Sequence, residues 1–250
     1  MFKKLKRNKK MIKLAVTGAR GRMGQRITLL ALKDDCFTIE ALLERPDHPE
    51  INAKMQGIGL QTDIATAIKA ADVLIDFTSP DSTMKNIEHC CAANVKLVIG
   101  TTGLTAEQSK TINAAGAKIP VVFSSNMSVG VNLLFKLTQV AAMTTKDQYK
   151  MSLTEAHHVH KKDAPSGTAK TLARLAEAAS RSAVEKIDSL REGEIIGDHS
   201  IVFESPEDII TISHHAKTRD IFAKGALVAA KFLEDKSSGI YTMQDVLGLI

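Results

Sequence analysis

The stretch "IKLAVTGARGRMG", residues 12–24, decides the fold. Residues 12–17 form a short apolar, β-rich run, and Gly18, Gly21 and Gly24 follow at once. A helical pattern then places Met23, Ile27 and Leu30 on one face. A strand that turns through glycines into a helix opens a βαβ unit, and the turn lets a pyrophosphate approach the helix amides. The spacing is G-x-x-G-x-x-G rather than G-x-G-x-x-G, and glycines alone mark many tight turns. Its place after the first strand strengthens the reading. So does Glu44, which closes a second strand at 37–43, twenty positions after Gly24. A carboxylate there can accept hydrogen bonds from an adenosine ribose, and Arg45 beside it could pair with a 2′-phosphate instead. Glu44-Arg45 also reads as a plain exposed pair before the turn at Pro46.

Outward from this unit the rhythm repeats. Strands are expected at 72–77, 96–100 and 120–124, and helices at 62–71, 80–93 and 105–117, with a loop without a clear element from 46 to 59. Strands alternating with helices mean a parallel sheet. "IGTTG" (99–103) and "SSNMSVG" (124–130) follow the fourth and fifth strands, where ligands of such sheets bind. After residue 125 the rhythm changes. A long apolar helix over 128–143 leads to a strand at 149–156. A helix follows at 167–181, with Leu172, Leu175, Ala176 and Ala179 on one face. Strands at 200–205 and 208–216 join through a turn, and helices at 219–234 and 242–249 end the chain. The fold class is α/β: a Rossmann-like parallel-sheet nucleotide-binding domain plus an α+β domain with a mixed or antiparallel sheet. The expected domains are a basic tail (1–10), a dinucleotide-binding domain (11–126, to which 217–250 returns) and a substrate and oligomerisation domain (127–216).

The 250 residues are 44% hydrophobic and 24% charged, as in globular proteins. No apolar run approaches the roughly 20 residues of a membrane helix. The net charge of +5 comes from residues 1–10, which carry six positive charges and no negative one. That block reads as a solvated tail, or as sequence ahead of a natural start at Met11, rather than as a nucleic-acid or lipid arm or a secretory signal. Three cysteines without zinc or redox spacing suit a reducing cytoplasm, with Cys36 and Cys91 read as small buried hydrophobes.

"EAHHVHKKDAPSGTA", residues 155–169, carries the chemistry. Pro165 and Ser166 mark a helix start, whose amides and positive dipole end make an anion site. Ser166 and Thr168 add hydroxyl donors, and Lys161 or Lys162 adds counter-charge. His157, at a strand end, can donate a proton at neutral pH. An acid beside an anion clamp, on a chain that holds a hydride carrier, points to reduction of an anionic unsaturated substrate. Zinc is disfavoured, because consecutive histidines point to different sides and no H-E-x-x-H or cysteine pattern accompanies them. Nucleic acid is disfavoured by the missing aromatics and the near-neutral body. His214 and His215 are assigned to structure. A dinucleotide-sensing protein without turnover would use the same glycine loop, but the intact His157, Lys161 and Ser166-Gly167-Thr168 set argues against it. A semialdehyde oxidoreductase with an acyl-enzyme step would need a nucleophilic cysteine.

The 155–169 stretch closely resembles the signature of the 4-hydroxy-tetrahydrodipicolinate reductase family, formerly dihydrodipicolinate reductase. "VTGARGRMG", "DFTSP", "VIGTTG", "NMSVGVN" and "FAKGA" match its other motifs in order, covering residues 11–250. The resemblance implies reduction of a cyclic imine dicarboxylate by NADH or NADPH, with loss of water, in lysine and diaminopimelate biosynthesis. By position it implies His157 as proton donor and Lys161 as the second catalytic residue. His158, Ser166, Gly167 and Thr168 are then the substrate carboxylate site, with Thr102 nearby. Gly18, Ala19, Arg20, Gly21, Arg22, Met23, Glu44, Gly100, Thr101, Thr102, Ser124, Ser125, Asn126 and Met127 are implied as cofactor contacts, and Arg45 as the partner of the 2′-phosphate. It further implies a cytoplasmic homotetramer built through the second domain's sheet, with domain closure over the substrate. Some relatives carry a basic residue after "DFT"; here Ser79 stands there.

Overall fold

In the computed structural model, which describes residues 10–249, the first elements are β1 (Ile12–Thr17), α1 (Arg22–Ala31), β2 (Phe37–Leu43), β3 (Lys54–Met55), β4 (Ile58–Gln61), α2 (Ile64–Ala67), β5 (Val73–Asp76), α3 (Pro80–Ala93) and β6 (Lys96–Ile99). There follow α4 (Ala106–Ala115), β7 (Pro120–Phe123), α5 (Val129–Thr145), β8 (Lys150–His157), α6 (Gly167–Ser180), β9 (Val184–Arg191), β10 (Asp198–Glu204), β11 (Ile209–His215), α7 (Asp220–Phe232), β12 (Gly239–Tyr241) and α8 (Met243–Leu247). Two units divide the chain. The first takes the residues up to Ser124 with Ala223–Val246, and the second takes Ser125–Phe222 with the last residues. The basic stretch 1–9 lies outside the described residues.

The first unit is one eight-stranded sheet in the order β12-β7-β6-β5-β1-β2-β4-β3. Every pairing is parallel except that of β3 with β4. Central strands of parallel sheets are covered on both faces, and β5 is accordingly buried at all four positions. β1 pairs with β2 on one side and β5 on the other. Strand order therefore reverses at β1, the switch point where such sheets bind ligands.

The second unit is a four-stranded sheet, β11-β10-β8-β9, in which β8 pairs antiparallel with β10 and parallel with β9. The sheet is mixed because β9, absent from the sequence reading, enters at its edge. Its run VEKIDSLR is charged and partly exposed, as edge strands are, so it shows no apolar alternation. Residues 46–59 likewise hold more than a loop. β3 and β4 form a hairpin whose two turn residues, Gln56 and Gly57, have φ of 53° and 83°. Such turns usually announce themselves as Asn-Gly, and Gln gives no signal.

Smaller corrections concern which side chains face inward. On α1 the buried residues are Gly24, Ile27, Thr28 and Ala31, with Met23 and Leu30 at the margin. The helix packs through its small residues, and a Cβ on Gly24 would lie 2.2 Å from the Gly18 carbonyl oxygen. Cys90 is the fully buried cysteine, while Cys36 and Cys91 are half-buried. On α6, Ala169, Leu172, Ala173 and Ala176 face the core, and Leu175 and Ala179 pack at its edge. Among the described residues no helix is long and apolar enough to cross a membrane.

Candidate active site

The dinucleotide candidates of the first unit lie at the carboxyl ends of its parallel strands. Gly18 turns out of β1 with φ +61°, and a Cβ there would sit 3.0 Å from Thr78 Cγ2. Gly21 begins α1 without a side-chain cap. That is the condition in which the first helix amides can take an oxyanion, so the loop fits a pyrophosphate. Glu44 stitches this loop to β2: Oε2 accepts from the Arg20 amide (3.0 Å) and Oε1 from the Arg45 amide (3.0 Å). Each carboxylate oxygen keeps a lone pair for a ribose hydroxyl. Arg45 is exposed and pairs with Asp47 at 3.4 Å. Arg20 folds back toward Glu50 (3.4 Å) and the Lys54 carbonyl (3.3 Å). Ala19 is buried, Met23 half-buried and Arg22 exposed.

The Thr101 side chain is engaged within the first unit. It is buried, and its hydroxyl oxygen accepts from the Thr78 amide (3.1 Å) and from the Thr83 hydroxyl (2.9 Å). The buried Asp76 carboxylate anchors the same network, accepting from the Thr78 amide (2.9 Å), the Thr78 hydroxyl (2.6 Å) and the Asn86 amide (3.0 Å). The Thr101 side chain thus belongs to the scaffold of the two loops, while Thr102 is exposed and Gly100 half-exposed. Ser79 caps α3 by accepting from the Ser82 amide (3.4 Å). Ser124 ends this unit, half-buried.

In the second unit β8 aligns Met151, Leu153, Glu155 and His157 on its buried face. The first two join the apolar core. The last two continue the row with ionisable groups, and the pairing register sets Glu155 opposite His199 of β10 and His157 opposite Arg191 of β9. Glu155 Oε2 bonds His157 Nδ1. Glu155 Oε1 accepts from Arg191 Nη2 (2.8 Å) and from the Ser166 amide (3.2 Å). Ser166 caps α6 through its hydroxyl, which accepts from the Ala169 amide (3.1 Å) and meets His199 Nε2 (3.1 Å). The His157 and His199 rings stand edge to face, 5.1 Å apart. Strand end and helix start thereby share one hydrogen-bonded cluster.

The remaining candidates surround it. Lys161 Nζ pairs with Asp163 Oδ1 at 2.7 Å, and Arg191 Nη2 also donates to the Asp163 carbonyl (2.5 Å). His158 leaves the strand with its amide on the Ile195 carbonyl (2.7 Å) and its ring 5.9 Å from that of His160. His160 is exposed beside Glu194 (3.5 Å). Gly167 opens α6 in an exposed position, and the Thr168 hydroxyl accepts from Asn126 Nδ2 (3.1 Å). Ser125 is exposed, whereas Met127 is 2% exposed and sits in the interior. Thr102 alone of the substrate candidates lies in the first unit.

Burial governs the electrostatics. It pushes the imidazole of His157 below its ordinary range, against the Glu155 carboxylate that draws it up. Burial, then the neighbouring His157, pushes His199 down to about 3. Glu155 is pressed upward by burial, but hydrogen bonds from Arg191 and His157 help hold it below the usual carboxylate range. Glu155, His157 and His199 bring potential metal-ligand atoms within 4.8 Å of one another. This is a different trio from the neighbouring histidines 157, 158 and 160. Its carboxylate is already shared by an imidazole and a guanidinium, so a dication would have to compete with Arg191.

Glu155, Arg191 and His199 were not among the sequence candidates. The alternation M-x-L-x-E-x-H along β8 carried the signal for Glu155, and H-x-I-x-F along β10 the signal for His199. Arg191 gave none, because the pairing of β9 with β8 is a long-range fact.

Comparison with known proteins follows the same division. The family described as "Dihydrodipicolinate reductase, N-terminus" matches residues 12–127, and "Dihydrodipicolinate reductase, C-terminus" matches residues 130–247. The 4-hydroxy-tetrahydrodipicolinate reductase of Trichlorobacter lovleyi is 40% identical over 266 residues, covering 96% of this chain and 100% of that one. That of Anaeromyxobacter sp. (strain Fw109-5) is 39% identical over 264 residues, covering 96% and 98%. Among solved structures, the dipicolinate-bound dihydrodipicolinate reductase of Paenisporosarcina sp. TG-14 shares the fold, with a TM-score of 0.80 at 23% identity over 94% of this chain and 99% of that one.

Proposed function

The chain belongs to the 4-hydroxy-tetrahydrodipicolinate reductase family, and we propose that it carries out the NAD(P)H-dependent reduction of 4-hydroxy-tetrahydrodipicolinate to tetrahydrodipicolinate, with loss of water, in lysine and diaminopimelate biosynthesis. One observation supports this reading above the others. A buried imidazole held by a carboxylate adjoins a capped helix start, on a chain that also carries an open glycine loop at a sheet switch point.

The reduced nicotinamide, when bound, supplies the hydride. The first unit's residues hold the carrier: the α1 amides take its pyrophosphate and Glu44 its ribose hydroxyls. Arg45 is exposed for a 2′-phosphate, so both NADH and NADPH are accepted. In the second unit the Ser166 amide is committed to Glu155. The amides of Gly167 and Thr168, the Thr168 hydroxyl and His158 then take a substrate carboxylate, and the Lys161 ammonium adds counter-charge. With Nδ1 on Glu155, His157 presents Nε2 to the substrate. The imidazole is neutral at rest, and a doubly negative substrate raises its proton affinity. Nε2 then carries the proton that the reduced imine takes up. The assembly is read as a homotetramer, and a sedimenting mass other than four chains would overturn that part.

Steady-state kinetics on enzymatically generated substrate test the proposal. NAD(P)H is consumed only when the imine dicarboxylate is present, and His157→Gln lowers kcat by about 10²–10⁴-fold while the NADH dissociation constant stays put. Undiminished turnover in that variant would remove His157 from the reaction.

A further inference from the structure

Glu155 is the buried ionisable group that holds the ring of the proton donor, and the family resemblance gives it no role. Its side chain is 0% exposed, on a strand face that is apolar two and four residues earlier. An apolar residue there would simply extend the core, and a buried carboxylate persists only when well paired. Three donors converge on it: the His157 ring through Nδ1, the Arg191 guanidinium and the Ser166 amide. Only a carboxylate, with acceptor sites on both oxygens, satisfies all three; an amide must turn its NH₂ toward one of them.

We infer that Glu155 is the positioning residue of the proton donor: it fixes His157 with its proton on Nδ1, leaves Nε2 to the substrate, and stabilises the imidazolium before the proton leaves. The arrangement rests on the function proposed above. Its geometry is tight on the Nε2 side as well, since a Cβ on buried Gly197 would lie 3.1 Å from His157 Nε2. The charged and titratable groups that face His157 are Glu155 on its own strand, Arg191 on β9, His199 on β10, and Lys161, itself paired with Asp163. Of these, only Glu155 and Asp163 can be negative, and Asp163 is engaged by Lys161. Arg191 works against the imidazolium both directly and by sharing the carboxylate.

Two substitutions therefore push in opposite directions. Glu155→Gln removes the charge that favours the imidazolium, so His157 deprotonates at lower pH. The descending limb of kcat/KM, which reports loss of the acid in free enzyme, moves down by about one pH unit or more. Arg191→Met frees the carboxylate for His157, and the limb moves up. A purely structural role would weaken both variants without opposed shifts. NADH binding, followed by its fluorescence, stays within about twofold in both, because the affected residues are outside the dinucleotide loops.

Nitrogen-15 spectra of histidine-labelled protein, assigned with His157→Gln, read the tautomer without turnover. The wild type shows the proton on Nδ1 and Glu155→Gln loses that preference. Wild-type spectra with the proton on Nε2, or both variants folded with unmoved limbs, overturn the inference. If Glu155→Gln does not fold, Arg191→Met decides: an upward shift supports the role, and an unmoved or lowered limb ends it. A wild type that never turns over the imine would instead defeat the proposed reaction, leaving the spectra to judge Glu155.

Discussion

On the proposed function, Glu44 and Arg45 divide one recognition task between adjacent residues. Glu44 is locked by two backbone amides at 3.0 Å, whereas Arg45 reaches an exposed aspartate at 3.4 Å. A weakly held guanidinium loses little by turning to a phosphate, and such charge-assisted bonds are among the stronger ones. Arg45→Ala is expected to raise KM for NADPH by about tenfold or more while leaving KM for NADH within about twofold. Steady-state kinetics with each cofactor in turn decide it, and equal losses for both would detach Arg45 from the 2′-phosphate. At the same scale, the Thr101 hydroxyl is bound within the fold. A residue named from a motif as a cofactor contact spends its hydroxyl on Thr78 and Thr83.

At the scale of elements, α6 depends on one side chain. Ser166 caps its first turn and meets a buried histidine that has been pushed far toward its neutral form. Ser166→Ala removes the cap, worth about 1 kcal/mol, and leaves His199 Nε2 without its partner, worth about 1–3 kcal/mol. Denaturant unfolding should show a combined loss of about 2–4 kcal/mol, with Ser166→Thr recovering most of it. A change under about 0.5 kcal/mol, the size of an ordinary surface substitution, would mean that neither bond matters. The strands teach a related lesson. The positions of β1, β2, α3 and α6 were readable because each carries its own period or cap within a few residues. β9, the β3–β4 hairpin and β12 were not. A charged edge strand, a Gln-Gly turn and a three-residue strand acquire their conformation from the neighbour they pair with.

For the whole molecule, the buried imidazoles set the acid limit. In the unfolded chain a histidine takes its proton near the ordinary 6.5, whereas His199 in the fold resists until about 3. Burial also lowers His157 and His214. Unfolding therefore binds protons below about pH 6.5, and stability falls steadily from there toward about 3. The carboxylates act in a lower window. Glu155 and Asp163, held below their usual range in the fold, add a second loss as pH falls below the ordinary carboxylate range. Thermal unfolding across pH should show a decline that begins above the carboxylate range, and His199→Gln should flatten that upper part alone. A midpoint that holds constant down to about pH 4.5 would contradict the burial of neutral imidazoles.

The sequence alone determined the alternation of strands and helices, the glycine turn after β1, the capped helix at Ser166 and the placing of His157 beside it. Each of these is written in residues that touch along the chain, as period, cap or turn. What only the tertiary structure decided is which distant side chains close on those residues. Arg191 reaches Glu155 from thirty-six positions away, and His199 reaches Ser166 from thirty-three. Nothing local names the partner of either one, because a pairing register is settled by the burial of whole strand faces, and only that burial brings the arginine of β9 and the histidine of β10 to the carboxylate and cap.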